Sequence, residues 1–279
     1  MEHLENKTKI ENQESTPKFH FIEIAEIEPA MVSLVNQLKE KIESGEYDTL
    51  ISDDVGGRIP TLVLRKIIKE LNPDQKIETY FIASGEVYLP TPADKEKYGE
   101  LQKHLKKVTA KTKKALVVTQ YIFTGKTLIR LASALKEAGV ENFDIAVVAA
   151  SRSFEKFEQK QKSVLRGVLG DNNLYVGDKE GHYHLSEDHD KLGGVRKTEK
   201  YSPTPKRVVD AIPKEVRRLS MKEWGELFAI DEEFEKRRNY APLTPEEFKE
   251  EIQRTINFAR EDATLLADRV VTQVWAKEN

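Results

Sequence analysis

The sequence contains no cysteine among its 279 residues. That absence excludes disulfides, thiolate metal centres and a cysteine nucleophile together, and it is compatible with a cytoplasmic protein. Long apolar runs are missing too: nothing approaches the roughly 20 residues that a membrane-spanning helix requires. Residues 1–17 carry neither the apolar stretch of a signal peptide nor a basic presequence. Polar and mixed in charge, they predict a disordered tail. A large charge of one sign is also lacking. The net charge of −3 exerts no global pull on nucleic acid.

What is present fits a globular protein with a heavily solvated surface, 38% hydrophobic and 33% charged. The length supports one good core, or one core with an appendage. Charge is blocked locally rather than globally. Lys103, Lys106, Lys107, Lys111, Lys113 and Lys114 fall in a stretch, 101–114, with no acid. Residues 196–218 are basic, and 223–235 are acidic with no Lys or Arg. Such blocks read first as solvated faces, and 196–218 is the one route by which nucleic acid or a protein partner enters the reading.

Hydrophobic periodicity organises the middle of the chain. Phe19–Ile24 alternates like a short strand. Met31, Leu34, Val35, Leu38 and Ile42 draw the stripe of an amphipathic helix over 29–43, ended by Gly45. Thr49–Ser52 predicts a buried strand, followed by a helix that opens near Pro60 and stops at Asn72-Pro73. Ile77–Ala83 is the next strand, 84–93 a Pro/Gly loop and 94–108 a charged helix. Ala115–Thr119 is a strand whose following helix carries Leu128, Leu131, Ala132, Leu135 and Ala138, and Phe143–Ala150 is a further apolar strand. Apolar strands alternating with amphipathic helices predict an α/β fold, a parallel sheet with helices on both faces.

Beyond residue 150 the pattern changes. Leu174–Val176 and His182–His184 predict a small β pair, and 193–205 a loop. Thr244 and Pro245 open a long helix with Phe248, Ile252, Ile256, Ala259, Ala263, Leu266 and Val270 on one face. That face could cover the domain's own sheet or pair with a second copy in a homodimer. The expected organisation is a tail (1–17), an α/β domain (18–195), and a linker with a helical C-terminal extension (196–279).

Two loops carry the candidate chemistry, each leaving the C-terminal end of a predicted strand, where open α/β sheets bind ligands. The first holds Asp54, Val55, Gly56, Gly57 and Arg58. Its glycines allow close backbone approach, successive N–H groups can form an anion nest, and Arg58 adds a bidentate donor suited to phosphate. The second ends in Thr124, Gly125, Lys126 and Thr127, with amides, hydroxyls and a charge at a helix N-terminus. It is not a P-loop, because Gln120 stands where that motif requires its first glycine.

Together the loops resemble the type I phosphoribosyltransferases. That family's signature is four apolar residues, two acids, four variable residues and a Thr-Gly-x-Thr-like turn opening a helix. Here it reads Ala115 to Val118, Thr119-Gln120, Tyr121 to Thr124, then Gly125-Lys126-Thr127-Leu128. The resemblance covers roughly 19–150 and places the family's mobile loop at 84–93. It implies phosphate binding by Thr124–Thr127, pyrophosphate binding by 54–58 and magnesium on the pyrophosphate. The expected ligand is phosphoribosyl pyrophosphate or a nucleoside monophosphate, and the expected chemistry pentosyl transfer to or from a nitrogen base. The departure is at Thr119 and Gln120, which replace the carboxylates that hold the ribose hydroxyls in the family. Hydrogen bonding to a ribose survives this change, and the acidic charge does not. A non-catalytic nucleotide-sensing or RNA-binding module on the same fold is the alternative.

His182, His184 and His189, beside Glu187, Asp188 and Asp190, form a further cluster. His-x-His on a strand would put both imidazoles on one face, as a metal pair needs. With nothing fixing His189 nearby, the cluster reads as a polar hairpin, and no metal site is assigned to it. The base-binding hood the resemblance implies falls at about 19–24 and 171–195, and neither stretch names a base.

Overall fold

The computed structural model describes residues 18–53, 56–82, 92–122, 125–151, 167–179 and 245–276. Strands β1 (Thr49–Asp53), β2 (Glu78–Ile82), β3 (Ala115–Ile122), β4 (Phe143–Ala150) and β5 (Leu174–Asp178) form one parallel sheet in the order β2-β1-β3-β4-β5. The helices are α1 (Ile22–Glu26), α2 (Glu28–Glu43), α3 (Arg58–Leu71), α4 (Pro92–Val108), α5 (Lys126–Glu137) and α6 (Pro245–Trp275). The predicted α/β architecture is present. No helix of the described residues is long and apolar enough to cross a membrane.

Side-chain alternation along the strands divides the core in two. Leu50, Leu116, Val118, Ala146 and Val148 face a layer made by α2, α3 and α6. Ile51, Val117, Ile145 and Val147 face the layer of α4 and α5. The stripe foreseen on α2 is buried throughout, and on α6 Ala259, Ala263, Leu266 and Val270 are buried with Ala267 and Val274. Helix α6 therefore covers its own domain by packing on α2 and α3. Where β5 meets α2 the approach is so close that a Cβ on Gly177 would lie 2.2 Å from the Ala30 carbonyl oxygen. Only glycine fits there.

Three expectations need correction. The run at 19–24 is no strand: it leads into α1, whose Ile24 is buried in the α2–α3–α6 cluster with Ile27. The cause lies far away in sequence. The buried Asp262 of α6 accepts the backbone N–H groups of His20 (3.0 Å) and Phe21 (2.8 Å). A carboxylate on those donors supports a helix start. Strand β3 runs past Thr119 to Ile122, because β4 offers partners for Tyr121 and Ile122 in Ala149 and Ala150. And Leu174–Val176 lies in β5 of the main sheet, beside β4. Residues 182–184, 187–190 and the 193–218 and 223–235 stretches lie outside the described residues, as do Thr244 and nearly all of the loop at 84–93.

At the N-terminal end of the sheet sits one fully buried charge. Asp144 of β4 accepts the Tyr47 hydroxyl at 2.7 Å and the ammonium groups of Lys41 (3.1 Å) and Lys114 (3.3 Å) on one oxygen. Its other oxygen accepts the backbone and side-chain N–H groups of Asn173 at 3.0 and 3.1 Å. Glu46 completes the cluster, 2.9 Å from Lys41 and 2.7 Å from Lys114. Burial alone would raise the Asp144 pKa, but the hydrogen bonds from Tyr47, Asn173 and Lys41 outweigh it and hold it down to about 2. The same contacts push the Tyr47 hydroxyl up, burial first and then Asp144.

A depressed carboxylate contributes stability above its unfolded pKa and loses it as pH falls through the folded value. Asp144 should thus contribute about 2 kcal/mol at neutral pH, lost between about pH 4 and pH 2. Urea denaturation of Asp144→Asn should show a deficit near that size at pH 7 that shrinks toward pH 2. A deficit of equal size at both would remove the charge from the explanation. Glycine positions give a second check. Gly99→Ala in α4, with open space around it, should gain about 0.5–1 kcal/mol, whereas Gly177→Ala should lose several-fold more or fail to fold.

Candidate functional site

The sheet order places a topological switch point between β1 and β3. From β1 the chain crosses through α3 to β2 on one side, and from β3 through α5 to β4 on the other. Since α3 and α5 belong to opposite faces, their N-termini flank one crevice at the C-terminal end of two hydrogen-bonded neighbours. Such a crevice is where doubly wound sheets bind ligands. The two loops singled out from the sequence leave β1 and β3 at this end, and the register from Thr49↔Ala115 to Ser52↔Val118 holds them side by side.

Each helix starts at a glycine. Gly125, buried, is left-handed (φ 73, ψ −1) and accepts the first helical bond of α5 from Ile129 N–H at 2.9 Å. This position needs glycine for its backbone alone. Gly57, also buried, starts α3 with ordinary right-handed angles (φ −81, ψ −9), and its carbonyl accepts from Thr61 N–H at 2.9 Å. Backbone freedom is thus not what Gly57 supplies; it leaves the helix end without a side chain. Neither helix is capped by a side-chain hydrogen bond from its first residue. The first N–H groups of α3 and α5 have no acceptor within their own helices, and both positive dipole ends favour an anion. Lys126 and Thr127 form the start of α5 and Gly56 precedes the α3 start. Asp54, Val55 and Thr124 lie outside the described residues.

Polar side chains line the strand ends below these helices. Ser52, Thr119, Gln120 and Ser151 are all buried, Thr119 at 6% and Gln120 at 1% exposure. Thr119 follows the parity of Val117 toward the α5 layer, and Gln120 that of Val118 toward α3. The residues expected to leave the strand are therefore inside it, one beneath each helix start. They give the crevice a floor of a hydroxyl and an amide, able to donate and accept.

Arg58 is the first residue of α3, and its guanidinium carbon stands 5.0 Å over the Phe81 ring centroid. Phe81 was not legible as a site residue. The signal was present in principle, because alternation in β2 sends Tyr80 and Ile82 to the α4–α5 side and Phe81 to the α3 side. Among the described residues no group of three or more His, Asp or Glu is placed to hold a metal ion.

Replacing Gly125 should expose the cost of its left-handed turn. Gly125→Ala is expected to lose about 1–2 kcal/mol, and Gly125→Asn less, because asparagine tolerates that region. Equal stability of all three chains in urea would mean the turn is not held as described. Comparison with known proteins identifies no relative: no family model matches the chain, and no curated protein or solved structure gives a significant match.

Proposed function

We propose that this chain is a phosphoribosyltransferase-like protein that binds a phosphoribosyl ligand in the crevice between β1 and β3. The observation that carries the reading is the convergence of two loops. Both anion-binding sequences emerge from adjacent parallel strands at one end of the sheet, each with an uncapped glycine at its helix start. In this reading the α5 turn (Thr124–Thr127) takes the 5-phosphate and the α3 turn with Arg58 takes pyrophosphate. Ser52, Thr119 and Gln120 face the sugar.

The donors described in the crevice are hydroxyls and an amide, a poor set for magnesium, which prefers carboxylate, phosphate and water oxygens. Magnesium in this reading arrives on the pyrophosphate, and no step is assigned to it. Transfer from a phosphoribosyl donor develops positive charge at the sugar carbon, which nearby carboxylates would favour. Thr119 and Gln120 offer dipoles only. Slow pentosyl transfer to or from a nitrogen base is thus the most this site should support. The same observation favours a second reading, a nucleotide-sensing module that binds without turnover.

Titration calorimetry should detect ribose 5-phosphate and, with magnesium, phosphoribosyl pyrophosphate, and Gly125→Val should abolish both. Product formation from phosphoribosyl pyrophosphate across a panel of bases separates the two readings. Thr119→Asp with Gln120→Glu should tighten the magnesium-dependent ligand about tenfold, converting to roughly 1.4 kcal/mol. Because both positions are buried, the unliganded double variant should be less stable at pH 7, and the deficit should fade as acid neutralises the new carboxyls. Ordinary transferase rates in the wild type, with nothing gained by the double variant, would overturn this assignment.

A further inference from the structure

We infer that the outer face of α4, with the turn that follows it, is a docking surface for the phosphate backbone of a nucleic acid. The inference is independent of the crevice reading. It comes from the lysines of 101–114, which that reading leaves without a task. Helix α4 turns Leu101 and Leu105 into the α4–α5 cluster. Lys103, Lys106 and Lys107 are exposed on its opposite side, Lys103 and Lys107 one turn or about 6 Å apart along the axis. Lys111 and Lys113, also exposed, continue the patch into the connection to β3. That connection enters the N-terminal end of the strand, so the patch lies toward the end of the sheet away from the crevice.

These five charges are uncompensated. Among the described residues none of them forms an ion pair. Acids are not short, 48 against 45 Lys and Arg, and Lys41, Lys66 and Lys114 are all paired. Asp48 meets Lys113 through its backbone N–H, at 2.8 Å, and Glu137 of α5 accepts from the Gln102 side chain. The helix dipole accounts for Lys106 and Lys107, which lie in the last turn of α4. It does not account for Lys103, a turn earlier, or for the two lysines beyond the helix. Like charges at i and i+4 destabilise a helix, and a bound polyanion would relieve that repulsion.

The surroundings select the class of polyanion. The outer face presents no large apolar side chain, since Leu101 and Leu105 are buried and Val108 packs on the same cluster. A helix that lies on a membrane needs apolar groups to insert, and the centre of a protein interface is depleted of lysine. A nucleic-acid backbone requires neither. Lysine meets its phosphates as a point charge, and the counterions released supply the affinity. With no arginine or aromatic in 101–114, contact there is to backbone and independent of base sequence. The net charge of −3 does not cancel the patch, because salt screens charges beyond about 10 Å at about 0.1 M.

Fluorescence anisotropy on the full chain tests this, with a labelled mixed-sequence DNA duplex between about 50 and about 200 mM salt. Five phosphate contacts predict a logarithmic salt slope of about −4.5, or about 500-fold weaker binding across that range. Lys103→Gln, Lys106→Gln and Lys107→Gln together leave two lysines and should reduce the slope to about −1.8, about twelvefold. The same triple variant should unfold thermally at or above the wild-type temperature, because repulsion is relieved. Unfolding below it would make the lysines structural and overturn the inference. Excess ribose 5-phosphate should leave the duplex bound; displacement would put the contact in the crevice. An unchanged slope in the variant would place the contact elsewhere, such as 196–218, and also overturn it. So would a wild-type chain that leaves the duplex free at low salt, or one that prefers vesicles of equal parts phosphatidylcholine and phosphatidylserine.

Discussion

Strands β3 and β4 have a strand on either side and helices over both faces, and this double burial is the constraint on which the rest of the structure depends. A strand so placed has no solvent-facing row, so alternation cannot accommodate polar residues along its length. Polarity is therefore scarce, and among the described residues it gathers toward the two ends. Thr49 and Asp144 are buried near one end and Ser52, Thr119 and Gln120 toward the other, with Ser151 just past β4; Thr119 and Gln120 are still inside β3, which continues to Ile122.

The two ends handle polarity in opposite ways. At the N-terminal end Asp144 is satisfied by groups from α2, the α2–β1 connection, the residue before β3 and the residue before β5. The result is a fastening that ties β4 to four other chain segments. Stripping partners from a buried charge removes its compensation, which is why such clusters are costly to break. At the C-terminal end the buried polar side chains among the described residues are neutral, and the helix starts beside them are glycines without a side-chain cap. A buried charge thus marks one end of the sheet and neutral polar groups the other, with an apolar core separating them.

The sequence disclosed those features that rest on local periodicity and lost those that rest on distant partners. The α2 stripe and both boundaries of β4 follow from spacing alone, and Gly125 announced its helix start because a left-handed turn tolerates little else. Strand β3 was cut short because Thr119 and Gln120 break its apolar run, and only the pairing with Ala149 and Ala150 carries it onward. The stretch at 19–24 alternates like a strand, yet a carboxylate 242 positions away turns it into a helix start. Phe143–Ala150 reads simply as an apolar strand, and nothing in the sequence says that Asp144 within it gathers Lys41, Tyr47, Lys114 and Asn173. Phe81 escaped notice because an aromatic in a strand is the commonest of core residues, and its cationic partner is 23 positions earlier in the chain.

The contact between Asp262 and the backbone of His20 and Phe21 joins the first described residues to the last described helix across 242 positions, and it bears on how the fold comes together. Helices α2 and α3 turn part of their apolar surface toward Ala259, Ala263, Leu266 and Val270. Until α6 docks, that surface is a greasy groove between two helices, and the segment before α1 lacks the carboxylate that organises it. Contacts so distant in sequence must close a long loop before they are rewarded. The α4–α5 face can therefore assemble from near neighbours, while the other face waits for α6, the molecule's own stopper.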